Sequence, residues 1–273
     1  PLSTMNPSLE EPLVKRDGTN SSIDGVATLV LNRPDQFNVL SSALLEALQA
    51  ELDAIANDPR VRVVILKGNG RAFCAGHDLR EMQSHANDRQ WHQSLFEQCS
   101  TVMLTLASMP QPIIAQVHGI ATAAGCQLVA ACDLAIAGRS ARFATSGINL
   151  GLFCSTPAVA LTRTMAAKHA AEMLFTGEFV DAPTAAQWGL VNRCVDDEAL
   201  SEAVLATARA VAAKSFAAVR SGKALLRGLN GRPLTDAYRA AGENMANDMQ
   251  STDANAGIDA FLHKQPTPVW THQ

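Results

Sequence analysis

The sequence predicts an α/β fold with a parallel sheet at its centre and a helical C-terminal part. Three observations lead there. Short, almost continuously apolar runs recur through the first two thirds of the chain: "GVATLVLN" (25–32), "VRVVILKGNG" (61–70), "PIIAQVHG" (112–119) and "DLAIAG" (133–138). Strands buried on both faces read this way. Segments with helical spacing of Leu and Ala separate these runs, which is the rhythm of crossover connections between parallel strands. From about residue 197 the apolar runs stop and Ala-rich helical segments take over.

The elements follow in order. Residues 1–24 lack an apolar signal core and read as a mostly flexible lead-in. "GVATLVLN" is a strand and the "RPD" after it a turn. Residues 41–58 are a helix with Ser41 or Ser42 as N-cap. The 61–70 strand ends in a glycine loop. Residues 88–109 form a helix stopped by Pro110, 112–119 a strand, 121–131 a helix and 133–138 a short buried strand. Four helical segments, near 197–215, 217–229, 234–249 and 254–264, close the chain. The expected organisation is therefore a lead-in (1–24), an α/β core (25–196) and a C-terminal helical subdomain (197–273).

Composition narrows the function. The chain has 273 residues, 47% of them hydrophobic, and a net charge of −4. No block of Lys and Arg suggests a nucleic-acid or anionic-membrane surface. Pro110, Pro112, Gln116, His118 and Gln127 interrupt the charge-free stretch between Glu97 and Asp133, which argues against a membrane span. The six cysteines show neither CxxC spacing nor a Cys/His cluster. Free cysteines in apolar segments fit a reducing compartment, the cytoplasm or a mitochondrial matrix. No metal site is expected.

Two loops stand out chemically. "GNGRAFCAGHDL" (68–79) follows a buried strand and carries Gly68, Gly70 and Gly76. "GIATAAGCQL" (119–128) opens a helix, whose first N–H groups have no intrahelical acceptor and sit at the positive end of the dipole. Such loops can aim two N–H donors at one developing oxyanion. They can equally be tight turns and an ordinary strand-to-helix junction. Neither a dinucleotide fingerprint nor a Walker lysine is present.

Five segments decide between these readings. "LNRPDQFNVLS", "GNGRAFCAGHDL", "VHGIATAAGCQLVAACDLAIA", "EMLFTGEFVDAPTAAQWGLVN" and "AFLHK" resemble, in order, the crotonase (enoyl-CoA hydratase/isomerase) superfamily from about Gly25 to Lys264. The resemblance implies a spiral of ββα units, the ClpP-like fold, with C-terminal helices that build a homotrimer, often stacked as a hexamer. It implies an acyl-CoA substrate, with coenzyme A part of the substrate and no permanently bound cofactor. It places the thioester oxygen between the backbone N–H groups of His77 and Ala124. Ala75, His77, Asp78, Leu79, Arg80 and Ala124 would contact the substrate, with Asp78 mainly supporting its loop. Phe261 and Lys264 match positions that reach a neighbouring subunit's coenzyme A. The chain has Asp35 where many relatives carry a lysine, which removes one phosphate contact.

Hydratases of this superfamily hold their water between two glutamates. Here Gln127 and Gly147 stand at those positions. No Asp or Glu occurs between Glu97 and Asp133 or between Arg142 and Arg163. An amide is no carboxylate base, and glycine has no side chain. Gln127 can still orient water or a carbonyl. Other polar candidates are Ser146, Asn149, Cys154, Ser155 and the rings of His77 and His118. The His77 ring is expected to line a pocket rather than move a proton, His118 to be structural, and Cys154 to lack an activating base. Trp91, Phe96 and Met103 could bound an acyl pocket or pack in the core. The sequence thus predicts an acyl-CoA enzyme of this superfamily with weak or absent hydration, performing another oxyanion-hole reaction such as decarboxylation or thioester hydrolysis. A non-catalytic acyl-CoA sensor or assembly partner is the rival, and a hydratase with a displaced carboxylate a third reading.

Overall fold

The computed structural model describes residues 11–17 and 25–272. Its strands are β1 (Val14–Asp17), β2 (Val26–Leu31), β3 (Val63–Gly68), β4 (Ala72–Cys74), β5 (Ile113–Val117), β6 (Ile120–Thr122), β7 (Leu134–Gly138), β8 (Arg142–Ala144), β9 (Val180–Asp181) and β10 (Arg193–Val195). Its helices are α1 (Ser42–Ala56), α2 (Leu79–Ser84), α3 (Arg89–Ser108), α4 (Ala124–Ala131), α5 (Ser155–Thr164), α6 (Ala167–Thr176), α7 (Ala182–Trp188), α8 (Leu200–Ala212), α9 (Phe216–Leu229), α10 (Leu234–Asp248) and α11 (Thr252–Leu262).

The strands form two sheets. The larger runs β1-β2-β3-β5-β7-β10 and the smaller β4-β6-β8-β9. From β2 to β10 the larger sheet is parallel, with Val64 opposite Ile113 and Ala115 opposite Ala135. Each of β3, β5 and β7 is followed within a few residues by β4, β6 or β8 in the other sheet, and then by helix. This is the ββα spiral expected above. The small sheet is parallel from β4 through β8, while β9 joins antiparallel.

Side-chain alternation explains the continuous apolar runs. Leu29, Leu31, Val64, Leu66, Ile113 and Ala115 face one way, into a core shared with Leu44, Leu45, Leu48 and Leu52 of α1 and with Val102 and Leu106 of α3. Val63, Ile65, Ile114 and Ile136 face the other way and are covered by Leu200, Val204 and Ala208 of α8. Helix starts carry the expected signals. Ser41 Oγ accepts from Leu44 N–H, and Asp88 caps α3 through Trp91 N–H.

Two expectations change. Residues 14–17 of the supposed lead-in are a strand, because Val14 is buried and the segment pairs antiparallel with β2. Positions 1–10 and 18–24 lie outside the described residues. The segment 121–131, expected as one helix, begins as β6. Helix α4 starts only at Ala124, after Ala123 turns the chain at φ +49°, ψ −119°.

The C-terminal helices are locked to the core by a buried ion pair. The Lys223 ammonium on α9 donates to Leu106 O and Gln111 O at 2.8 Å each and lies 2.8 Å from Asp133 Oδ2. Asp133 also accepts from Ile113 N–H and pairs with Arg227. Burial pushes the Lys223 pKa down, opposed by the Asp133 charge. Every ammonium proton is therefore matched, as a buried charge requires.

Replacing Asp133 by Ala strands that ammonium and is expected to cost about 3–5 kcal/mol in urea denaturation. A loss below about 1 kcal/mol would show that the pair does not anchor α9. At Ala123 the expectation has the opposite sign. A non-glycine residue in such a backbone region costs on the order of 1–3 kcal/mol, and glycine's extra unfolded-state freedom gives back roughly 0.5–1 kcal/mol. Ala123→Gly should therefore stabilise the fold by about 1 kcal/mol, read as a raised melting temperature; an unchanged or lower value contradicts the strain assignment.

Candidate active site

Three neighbouring strands of the small sheet deliver three chain segments to one place. Because β4, β6 and β8 are parallel and adjacent, their C-terminal ends lie side by side. Residues 75–78 leave β4, 123–124 leave β6 and 146–147 leave β8. Ligand sites of parallel sheets form outside such ends. Here the ends surround a cavity of about 270 Å³, also lined by Leu79 and Met82 of α2, Phe96 of α3 and the segment around Leu150–Pro157.

The 75–78 loop is held as a ladder against residues 37–40. Ala75 N–H donates to Phe37 O (3.0 Å), Leu40 N–H to Gly76 O (2.7 Å) and Asp78 N–H to Leu40 O (3.3 Å). Buried Asn38 fixes the opposite side. Its Oδ1 accepts from Arg33 N–H, and its Nδ2 donates to Asn69 O and Ala72 O. Thr122 Oγ1 donates to Ala75 O at 3.0 Å and ties the two loops together. A Cβ added to Gly76 would stand 3.0 Å from Ala123 Cβ and 3.5 Å from Ala124 N. Gly76, at φ +94°, thus permits both the turn and the contact.

Two backbone donors remain unused. Ala124 is the first residue of α4, and Ala123 provides no side-chain cap. Neither Ala124 N–H nor His77 N–H has an acceptor among the described residues. Both residues line the cavity. The arrangement can hold one oxyanion with two N–H groups, one of them at the positive end of a helix.

No aspartate or glutamate lines the cavity among the described residues. The His77 ring lies edge-on to Phe96, with centroids 5.4 Å apart. Both of its nitrogens are shut away and without a hydrogen-bond partner. Burial pushes its pKa below the ordinary imidazole value, while the Leu40 backbone and the Glu81 charge oppose the shift. The ring is therefore a neutral, sealed wall, and His77 offers its backbone. Cys154 also lines the cavity, and burial pushes its thiol pKa up, away from the reactive thiolate.

Of the expected contact residues, Ala75, His77, Leu79 and Ala124 line the cavity, and Asp78, Arg80, Gln127, Phe261 and Lys264 do not. Asp78 is committed elsewhere: it caps α2 by accepting from Arg80 and Glu81 N–H, and it pairs with Arg33 at 3.4 Å. Gln127 is 4% exposed, one turn into α4, and its Oε1 has no partner. Phe261 lies beside a different hollow, with Trp270 and Asp253. Lys264 lies two residues past the end of α11, at φ +54°. His118 bonds Gly70 O and Asn149 bonds Gly177 O, both holding loops. Ser146 and Ser155 line the cavity, as does Phe96, whereas Met103 belongs to the core and Trp91 packs against it.

At Gly147 the structure shows more than a missing side chain. A Cβ there would stand 2.8 Å from Cys154 Sγ and 2.8 Å from the Leu152 carbonyl oxygen. The space a carboxylate would cross is filled. Sequence reasoning missed Met82, Leu150, Leu152 and Phe153, which line the cavity. Clustered apolar residues beside a glycine loop were the available signal, but the same pattern describes ordinary core.

Comparison with known proteins gives the chain a family. The family model described as enoyl-CoA hydratase/isomerase matches residues 21–273. The chain is 42% identical to the rat mitochondrial enoyl-CoA hydratase domain-containing protein 3 over 249 residues, covering 91% of this chain and 82% of the relative. A solved enoyl-CoA hydratase from Mycobacterium smegmatis superposes with a TM-score of 0.91 at 51% identity, covering 95% and 99% of the two chains. The human enoyl-CoA hydratase domain-containing protein 3 gives 0.90 at 40% identity, covering 95% and 100%. With this match across nearly its whole length, the chain belongs to the enoyl-CoA hydratase/isomerase family.

Proposed function

We propose that the protein binds an acyl-CoA thioester with its carbonyl oxygen between the backbone N–H groups of His77 and Ala124. The reaction it supports is one that stabilises an enolate or tetrahedral oxyanion without a water held by two carboxylates. The observation that carries this reading is the cavity itself: two unused donors meet there, and no carboxylate does. An enolate formed beside a thioester places its charge on the carbonyl oxygen, where the donors are worth most in a dry site. Decarboxylation or hydrolysis of an acyl-CoA fits this chemistry. Coenzyme A enters as part of the substrate. In this reading Leu79 and Arg80 contact the coenzyme A chain, and Asp78 keeps that loop in shape through its cap on α2.

Gln127 takes no proton in this scheme, since an amide cannot act as base. The missing acid–base pair also favours a second reading, a non-catalytic acyl-CoA sensor. The six free thiols support a reducing compartment.

The assembly is read from the C-terminal helices. Leu234, Tyr238 and Met245 on α10 and Phe261 and Leu262 on α11 are exposed. A homotrimer or hexamer would cover them, and would bring Phe261 and Lys264 to a neighbour's ligand.

Two outcomes are expected. Wild type should bind crotonyl-CoA yet hydrate it at background, measured by loss of enoyl-thioester absorbance, and Gln127→Glu should add little because the water still lacks a second partner. A wild-type turnover in the ordinary enzyme range of about 1–10³ s⁻¹ overturns the reading. Binding of a broad acyl-CoA panel with no thioester consumed favours the sensor. Light scattering at micromolar concentration should report a trimer or hexamer; a monomer removes the role given to Lys264.

A further inference from the structure

The cavity that holds His77 and Ala124 has a neighbour. A groove runs along the outer face of α3, lined by Arg89, His92, Gln93, Phe96, Glu97 and Ser100. These residues recur at helical spacing, so they form one stripe of the helix. Phe96 alone lines both spaces. On one side it faces the cavity with Leu79, Met82 and the His77 ring. On the other it borders a polar groove that carries Arg89 and Glu97.

We propose that Phe96 is the partition that sets acyl-chain length, so that the protein selects short-chain acyl thioesters. The inference rests on the acyl-CoA reading above and adds the substrate class to it. The cavity volume is about 270 Å³. That is at the small end of ligand cavities, which run to about 300–1,000 Å³. A thioester group and a short acyl chain fill it. A longer chain must either turn out through the mouth or displace the Phe96 ring towards the groove.

The placement of Phe96 suits such a role. The residues by which α3 enters the core are Leu95, Cys99, Val102, Met103 and Leu106. Phe96 is not among them and is only half-buried. Its ring contact is the edge-on one with His77. Shortening it opens a passage between two spaces without hollowing the main core. It also stands beside His77, the residue whose backbone is assigned to the thioester oxygen.

The test is a chain-length comparison by calorimetric titration. Dissociation constants for butyryl-CoA and decanoyl-CoA, each below its micellar concentration, are measured for wild type, Phe96→Ala, Phe96→Leu and Phe96→Trp. Wild type is expected to prefer butyryl-CoA by about 10-fold or more, within the range that a few methylenes confer in an apolar pocket. Phe96→Ala should reduce or reverse that ratio by about 10-fold. Phe96→Leu should fall between the two and serves if the alanine variant folds poorly. Phe96→Trp should widen the preference. Equal affinities in wild type, or an unchanged ratio in both shortened variants, overturn the inference and leave the acyl-CoA reading standing. Failure of wild type to bind either thioester overturns both.

Discussion

The contact between helix α4 and strand β4 governs the whole site. A Cβ placed on Gly125 would stand 2.0 Å from Cys74 O, so the helix lies on the strand with no room for a side chain between them. That closeness presses the start of α4 against the end of β4. It brings the Ala124 N–H level with the loop that carries the His77 N–H. It also dictates how the chain enters the helix, because the short step from β6 to α4 leaves Ala123 at a positive φ. Gly76 must then turn sharply to pass Ala123. A small-residue contact in the framework thus sets the spacing of two donors that belong to different strands.

The electrostatics follow from the same arrangement. The donors are backbone groups, so they carry no titratable charge and need no side-chain rotamer to be correct. Around them the wall is apolar or neutral: Ala75, the sealed imidazole of His77, Phe96, Met82 and a protonated Cys154. In such surroundings a dipole acts with little screening. The lining offers polarisation and almost no proton chemistry of its own. Among the described residues no aspartate or glutamate lines it, and burial favours the neutral forms of both His77 and Cys154.

In the larger sheet β2, β3, β5 and β7 were legible because they are long enough to show, whereas β1 was read as lead-in and the three-residue β10 was not seen. Val63–Gly68 and Ile113–Val117 are β-branched runs buried on both faces, and no helix periodicity competes with them. The smaller sheet was not legible. Ala72–Cys74, Ile120–Thr122 and Arg142–Ala144 are three residues each, too short for an alternation pattern to emerge, and β6 was absorbed into the helix behind it. Yet these strands carry the site. The glycines around them were visible as turns, and the resemblance to a family turned those turns into donors. What no local pattern reveals is which apolar residues come together across the chain. Phe96 and Leu152 look like core or loop until α3 and the 150–157 segment close on the same space. Gln127, buried one turn into α4, is not among the residues that line the cavity, which its place in the motif alone does not reveal.

The filling of the space beside Gly147 couples two parts of the chain. Cys154 Sγ and the Leu152 carbonyl occupy the ground a side chain at 147 would need. The first atom of any new side chain there stands 2.8 Å from a backbone oxygen, so position 147 can be enlarged only if the 151–154 segment moves with it. The two places are therefore epistatic: what residue 147 tolerates is decided several residues further along the chain.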